Sequence, residues 1–429
     1  MITRNDLVDY FIQGQKAPAE HKVGVEYELF GFHENGKPLS FSGVPGVETV
    51  LQRLAAEDSW LPQYEGGRLL GILKEKKYFS LEPGAQLELS TTPYSSLVDL
   101  NKEIVETFSR LVEITAPEEI FWGAVGLHPF SSLREIEWIP KKRYDIMSRF
   151  FSRHGGALAH LMMKQTASIQ INIDYASERN AINKFRLLMA LAPIVTAIFA
   201  NSSTYEGKRL PYVSYRSQIW QQTDSARCGL IRDLFNPEYS FEEYVDFVLA
   251  IPMIFLKRGE EWIEPSPGLT FGQFLTRGRY EKWEPTLDDW KLHLSTLFTE
   301  VRLKQVLELR SADSNLPDKA MALAAFVKGL TSDESILNEA WNCVSDWSWG
   351  ERLKLYQEVP KYGLRASVKN DKIIVLAGEL AKLSDQGLSF EEKSFLYPIF
   401  EILDKGKTLA EEAIELHSQR LGHENGIRK

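Results

Sequence analysis

The segment SLEPGAQLELS, Ser80 to Ser90, carries Glu82, Gln86 and Glu88 at even spacing and Leu81, Leu87 and Leu89 at odd spacing. Side chains two apart share one face of an extended strand. One face therefore presents two carboxylates and an amide, and the other presents leucines suited to a core. The Pro83-Gly84 pair reads as a kink within that strand. Solvated acids on the wet face of a strand are ordinary, so the segment gains weight only if its pattern recurs.

It recurs three times. VGVEYELFGF, beginning at Val23, sets Glu26 and Glu28 against Val23, Val25, Tyr27 and Leu29. SIQINIDY, beginning at Ser168, sets Gln170, Asn172 and Asp174 against three isoleucines. VLELRSAD, beginning at Val306, sets Glu308 and Arg310 between Leu307 and Leu309. Each is a short strand with one apolar face and one face of oxygen ligands or a guanidinium. If the four share a sheet, they line one concave surface. Two carboxylates about 5 Å apart, at an effective dielectric of about 20, repel by roughly 3 kcal/mol. Carboxylates gathered this way take up protons or bind cations. Hard oxygen ligands suit Mg²⁺ or Mn²⁺ rather than zinc, and Mg²⁺ commonly arrives with nucleotide phosphate.

The familiar nucleotide motifs are missing. GKT at Gly406 to Thr408 has Glu401 where a phosphate loop needs glycine, and there is no G-x-G-x-x-G run. Cys228 and Cys343 are the only cysteines, which gives no cysteine zinc site and no disulfide framework. His154, before Gly155-Gly156, reads as a loop residue.

The 429 residues are 44% hydrophobic and 25% charged, as in an ordinary soluble domain. The net charge of −9 argues against a general nucleic-acid binder. The N-terminal residues lack the apolar core of a signal peptide. The apolar run Leu187 to Ala200, broken by Pro193, reads as too short for a membrane span. Few cysteines and no export signal point to the cytoplasm.

The rest of the pattern predicts strands and turns over 20–95 and a helix over 96–116, capped by Ser96 with Asp99. A strand is expected over 119–130, helix over 141–162 with a break at Gly155-Gly156, and a strand over 167–175. A buried helix covers 181–200. Ser240 with Glu243 starts a helix to Ala250. A helix over 286–305 leads to a strand at 306–310. From about 317 onward the pattern is helical, with a frayed tail over 422–429. The expected architecture is α+β: a curved antiparallel sheet forming an active-site cavity, surrounded by helices, in one domain spanning 1–429.

Taken together, GVEYE (24–28), LEPGAQLELS (81–90), MMKQTASIQINIDYASE (162–178), FANSSTYEGKRLPYVSYRSQIWQQTDSARCG (199–229), YSFEEYVDFVLAIPM (239–253) and LFTEVRLKQVLELRSAD (297–313) resemble, in order, the glutamate–cysteine ligase family of plants and many bacteria. The resemblance implies a glutamine-synthetase-like catalytic fold. It implies a reaction in which ATP phosphorylates the γ-carboxylate of glutamate and the amine of cysteine displaces phosphate. The product, γ-glutamylcysteine, serves glutathione or other thiols. By resemblance Glu26, Glu28, Glu82, Glu88 and Glu308 are metal ligands, Mg²⁺ being expected and Mn²⁺ possible. Gln170 stands where the wider superfamily uses another metal ligand, and with Asn172, Arg302 and Arg310 it is placed at the nucleotide; Asn172 contacts substrate or phosphate, and Asn172 and Arg310 share the catalytic role with Arg216. Arg216 is the fork for the α-carboxylate of glutamate, since a planar guanidinium binds carboxylate bidentately. Tyr215, Trp220 and Arg227 of the same segment are placed with it at the substrate. Gln165 stands where plant members have arginine, which puts one polar contact in doubt. The redox disulfides of plant members are not carried over. The expected partners are glutamate, cysteine and ATP, with no nucleic acid or membrane, in a monomer or homodimer. Two other readings share the chemistry or the fold: a ligase joining glutamate to a different amine, and a non-catalytic nucleotide or amino-acid binding protein.

Overall fold

Nine strands pair antiparallel into one sheet: β1 (Val23–His33), β2 (Leu61–Glu65), β3 (Arg68–Lys74), β4 (Lys77–Leu81), β5 (Leu87–Ser90), β6 (Ile120–Gly123), β7 (Ser168–Ile173), β8 (Val301–Leu303) and β9 (Leu307–Asp313). Their order is β8-β9-β7-β1-β5-β4-β3-β2, with β6 on the far half of β1. The computed structural model describes residues 2–57 and 59–415. The four strands singled out by their alternation, β5, β1, β7 and β9, are consecutive neighbours. The register sets Glu28 opposite Glu88, Glu26 opposite Gln170, and Glu308 opposite both Asn172 and Arg302. The polar residues therefore share one face.

Residues 80–90 do not form one kinked strand. They form a hairpin in which β4 and β5 pair with Ser80 opposite Glu88. Ala85 N donates to Glu82 O at 2.9 Å, and Glu82 N donates to Gln86 O at 3.0 Å. Pro83 and Gly84 fill the turn, and Ala85 closes it at φ 65°, the left-handed step of a three-residue hairpin loop. Residues opposite one another in a hairpin share a face, so the even spacing still brings Glu82 and Glu88 together. A Cβ on Gly84 would meet Lys164 O at 2.1 Å, so this close approach requires glycine. Gln86 is spent on the same joint: its amide donates to Met163 O (3.3 Å) and Thr166 O (2.9 Å).

The opposite face is the core. Leu81, Leu87 and Leu89 are 0–1% exposed, each contributing about 1.5–3 kcal/mol of burial. Helix Leu97–Thr115 is capped by Ser96 Oγ, which accepts from Val98 N and Asp99 N; Asp99 does not return the bond. Its Phe108 packs edge-on against Tyr27 of β1 at 4.7 Å between centroids. Helix Glu178–Ile198 lies along β9, where Thr196 Oγ1 donates to Ser311 O at 3.1 Å. This helix has 21 residues and a mean hydropathy of 1.5, long and apolar enough to cross a membrane, contrary to the shorter run read from sequence, but 89% of its apolar window is buried inside the protein. Helix Pro317–Thr331 opens the mainly helical C-terminal portion, and one continuous hydrophobic core runs from Leu7 to Ile402.

Three further expectations need adjustment. Strand β6 is only four residues long, and the chain from Ala124 runs on as loop. The predicted helix over 286–305 stops at Leu294, and Val301–Leu303 is a strand. Helix Lys142–His154 includes His154 as its last residue, and the glycine break separates it from helix Ala159–Gln165. The capping box of Ser240 and Glu243 is present. The tail 422–429 lies outside the described residues.

Candidate active site

The polar face of the sheet floors a cavity of about 400 Å³, roofed by helices Lys142–His154, Ala159–Gln165 and Tyr215–Gln221. Glu26, Glu28, Glu82 and Glu88 line one part of it. None of the four makes an ion pair among the described residues. Glu28 Oε2 accepts from Ser168 N (2.7 Å) and Oε1 from Gln170 Nε2 (2.9 Å). Glu88 accepts from Ser80 Oγ (2.8 Å), Glu26 from Asn172 Nδ2 (3.0 Å), and Glu82 from Tyr144 OH (3.3 Å). Burial, and then the neighbouring Glu82, push Glu28 up to about 7. Burial, with Glu82, Glu26 and Glu28 adding to it, pushes Glu88 well above the usual carboxylate range. Acids held near one another out of water resist a second negative charge.

The other end of the row behaves in the opposite way. Glu308 is fully buried and held by Arg302 Nη2 (2.6 Å), Lys304 Nζ (2.5 Å) and Arg310 Nη1. Burial opposes its ionisation, but Arg302, Lys304 and Arg310 outweigh burial and keep it well below the usual range. Arg302 spends its remaining nitrogen on Ser295 O and Leu297 O, both at 3.0 Å. Glu308, expected as a metal ligand, is ion-paired to three cations in this structure, and Arg302, expected at phosphate, lines the cavity with its donors engaged by Glu308, Ser295 and Leu297.

Gln170 joins the two ends. Its Nε2 donates to Glu28 while its Oε1 accepts from Arg310 Nη1. An amide offers a donor to a carboxylate and an acceptor to a guanidinium at once, without carrying charge.

Arg216 is brought in as expected. A bulge shifts the register of β9 on β7 between Leu309 and Ala312. Bulges re-aim backbone groups beside active sites, and here Arg216 Nη2 donates to Arg310 O at 2.9 Å. Arg216 Nε and Trp220 Nε1, both from residues that line the cavity, are buried without a partner among the described residues. A buried N–H left unpaired costs about 1–3 kcal/mol, so this corner is underused as it stands.

Four predicted residues, Glu308, Asn172, Arg227 and Tyr215, do not line the cavity; the first two lie on the same sheet face behind Arg302, Arg310 and Glu26. Arg227 is fully buried, donating to Asp224 Oδ2 (2.8 Å), Thr296 O (3.2 Å) and Pro252 O (2.7 Å) beneath Phe150. It ties three loops together. Tyr215, beside Arg216 on a short helix, is not among the cavity-lining residues; its ring lies 5.2 Å from that of Tyr212, tilted by 39°. Asp174, read on the face of Asn172, lies past the end of β7 and pairs with Lys16 at 2.6 Å. Sequence reading missed Lys141, Arg143 and Tyr144 on the cavity rim and Met147, Met162 and Met163 in its wall. KKRY at 141–144 looks like an ordinary helix start, and the methionines like core.

Among the described residues no three His, Cys, Asp or Glu side chains converge as a ready-made metal cage. The carboxylates nevertheless fit Mg²⁺, which takes one or two protein carboxylates, keeps waters, and completes its shell with phosphate.

A family model described as glutamate-cysteine ligase family 2 matches residues 22–427. Chloroplastic glutamate–cysteine ligase of Solanum lycopersicum is 36% identical over 98% of this chain and 81% of its own length. Glutamate–cysteine ligase A of Oryza sativa subsp. japonica is 36% identical over 98% of this chain and 85% of its own. The crystal structure of a Francisella tularensis glutamate–cysteine ligase in complex with AMP superposes with a TM-score of 0.56 at 14% identity, over 93% of this chain and 85% of that one. That likeness carries the α+β fold. The match over nearly the whole sequence means that this chain belongs to glutamate-cysteine ligase family 2.

Proposed function

We propose that the protein joins the γ-carboxylate of L-glutamate to the amine of L-cysteine at the expense of ATP, giving γ-glutamylcysteine. The observation that carries the reading is the cavity row itself: unpaired carboxylates at one end, and at the other a guanidinium cluster around Glu308, with the free N–H of Arg216 close by. A γ-glutamyl phosphate route needs both. Phosphoryl transfer is mostly positioning and neutralisation of charge. Glu26, Glu28, Glu82 and Glu88 are the residues that would hold Mg²⁺, which when bound neutralises phosphate oxygens. Arg216 orients the α-carboxylate of glutamate. Arg310, fixed by Glu308 and Gln170, faces the charge that develops as the γ-carboxylate oxygen attacks phosphorus and ADP leaves. The cysteine nitrogen then attacks the acyl carbon, expelling phosphate and losing a proton; Asn172, whose amide donates to Glu26, positions that acid. Cys228 and Cys343 are both free thiols, so no disulfide enters the proposal, and a reducing cytoplasm suits the chain.

The test is ADP release by the purified protein with Mg²⁺, run with glutamate and a panel of amino acids and amines. Release dependent on both glutamate and cysteine, with mass-spectrometric detection of γ-glutamylcysteine, is the expected result. A clear preference for a non-thiol amine would replace cysteine in the reading, and no glutamate-dependent release would sink it.

A further inference from the structure

Arg302 and Arg310 in the cavity are both paired with Glu308. Two other cavity cations, Lys141 and Arg143, are not: neither makes an ion pair among the described residues. Both approach one ring, Lys141 Nζ at 5.1 Å and the Arg143 guanidinium at 5.6 Å from the centroid of Tyr144. Arg143 also lies 5.5 Å over Phe255, and its Nε is buried without a partner. Tyr144 in turn donates to Leu81 O (3.1 Å) and Glu82 (3.3 Å), which fixes this pair beside the carboxylate wall. Lys141 feels Glu82 and Glu88 without bonding to either.

Two neighbouring cations with no direct ion-pair partner repel each other, and an anion bound between them relieves that repulsion. A carboxylate substrate is already served by Arg216, from a different helix. What fits between Lys141, Arg143 and a metal on Glu82 or Glu88 is an anion with several oxygens, able to touch metal and cations together. We propose that Lys141 and Arg143 bind the phosphate chain of the nucleotide. The assignment rests on the ATP-dependent reading above and adds to it the residues that tell a triphosphate from a monophosphate. Lysine supplies a mobile point charge and arginine a planar fork.

The test uses the full-length protein with Mg²⁺ and compares equilibrium binding of ATP and AMP by calorimetry, alongside KM values for ATP and glutamate. Lys141→Ala and Arg143→Ala are each expected to weaken ATP about tenfold or more, leave AMP within about twofold, and leave the KM for glutamate unchanged. The preference for ATP over AMP should collapse in the double variant. Arg143→Lys, which keeps the charge, should recover part of the loss and serves in place of Arg143→Ala if that variant unfolds. Unchanged ATP affinity in the variants, equal losses for ATP and AMP, or a rise confined to the glutamate KM would each overturn the assignment. A wild-type protein that binds ATP but does not ligate glutamate refutes the reaction and leaves this site standing. One that binds no nucleotide overturns both.

Discussion

Glu88 and Glu308 stand on strands of the same sheet face, three neighbours apart, and meet opposite conditions. Glu88 faces other acids and is pushed toward the neutral form; Glu308 faces three cations and is held ionised. Environments that drive like groups apart mark different jobs. The first end is short of positive charge, which suits the cation proposed for it. The second is already neutralised within the protein, and its product is a rigidly presented Arg310.

The comparison breaks if the two acids respond alike to removal of charge. Glu308→Ala leaves Arg302, Lys304 and Arg310 unpaired in the interior. It should cost about 3–5 kcal/mol of stability, read as a lowered denaturant midpoint. Glu88→Gln removes a charge that burial already disfavours. It should leave stability equal or higher while lowering kcat by about 10²–10³-fold, the scale of losing one preorganised electrostatic contact. A Glu88→Gln enzyme of normal kcat would remove the acid end from the chemistry.

The same contrast can be sharpened with pH. The folded protein keeps a proton on Glu28 between about 4.5 and about 7, where the unfolded chain has released it. Stability from this group is therefore present below pH 4.5 and lost as pH rises through 7. In metal-free buffer the loss should be about 1–3 kcal/mol, seen as a falling melting temperature from pH 5 to pH 8. Added Mg²⁺ should flatten that slope by raising the melting temperature more at pH 8 than at pH 5. A metal-independent slope would count against the acid end as a cation site. Smallest of all, Tyr215→Phe should change stability by under about 0.5 kcal/mol and leave the glutamate KM alone, because Tyr215 does not line the cavity. A tenfold rise in that KM would return Tyr215 to the site.

The row of acids was legible because alternation in a strand fixes faces without any knowledge of partners. Glu26, Glu28, Glu82 and Glu88 all followed from period two. The rest depended on register. Arg302 and Lys304 reach Glu308 from the neighbouring β8 and the turn after it, and the misread helix over 286–305 hid that hairpin. Pro83-Gly84 was visible as a break, but a break and a reversal look alike until the pairing of Ser80 with Glu88 is known. Arg227 could not be told from Arg216, since both sit among aromatics in one segment. The difference is that Arg227 finds Asp224, Thr296 and Pro252 to absorb its donors, while Arg216 keeps one free. Lys141 and Arg143 carried no signal of periodicity at all.

The bridge made by Gln170 gives the cavity a sense of direction. Its amide has one way round, nitrogen toward Glu28 and oxygen toward Arg310, and turning it over would set a donor against a guanidinium and an acceptor against an acid. The floor thus behaves like a keyed socket. A ligand that is positive at one end and negative at the other would match the row in a single orientation, and the key is a side chain with no charge of its own to titrate or screen.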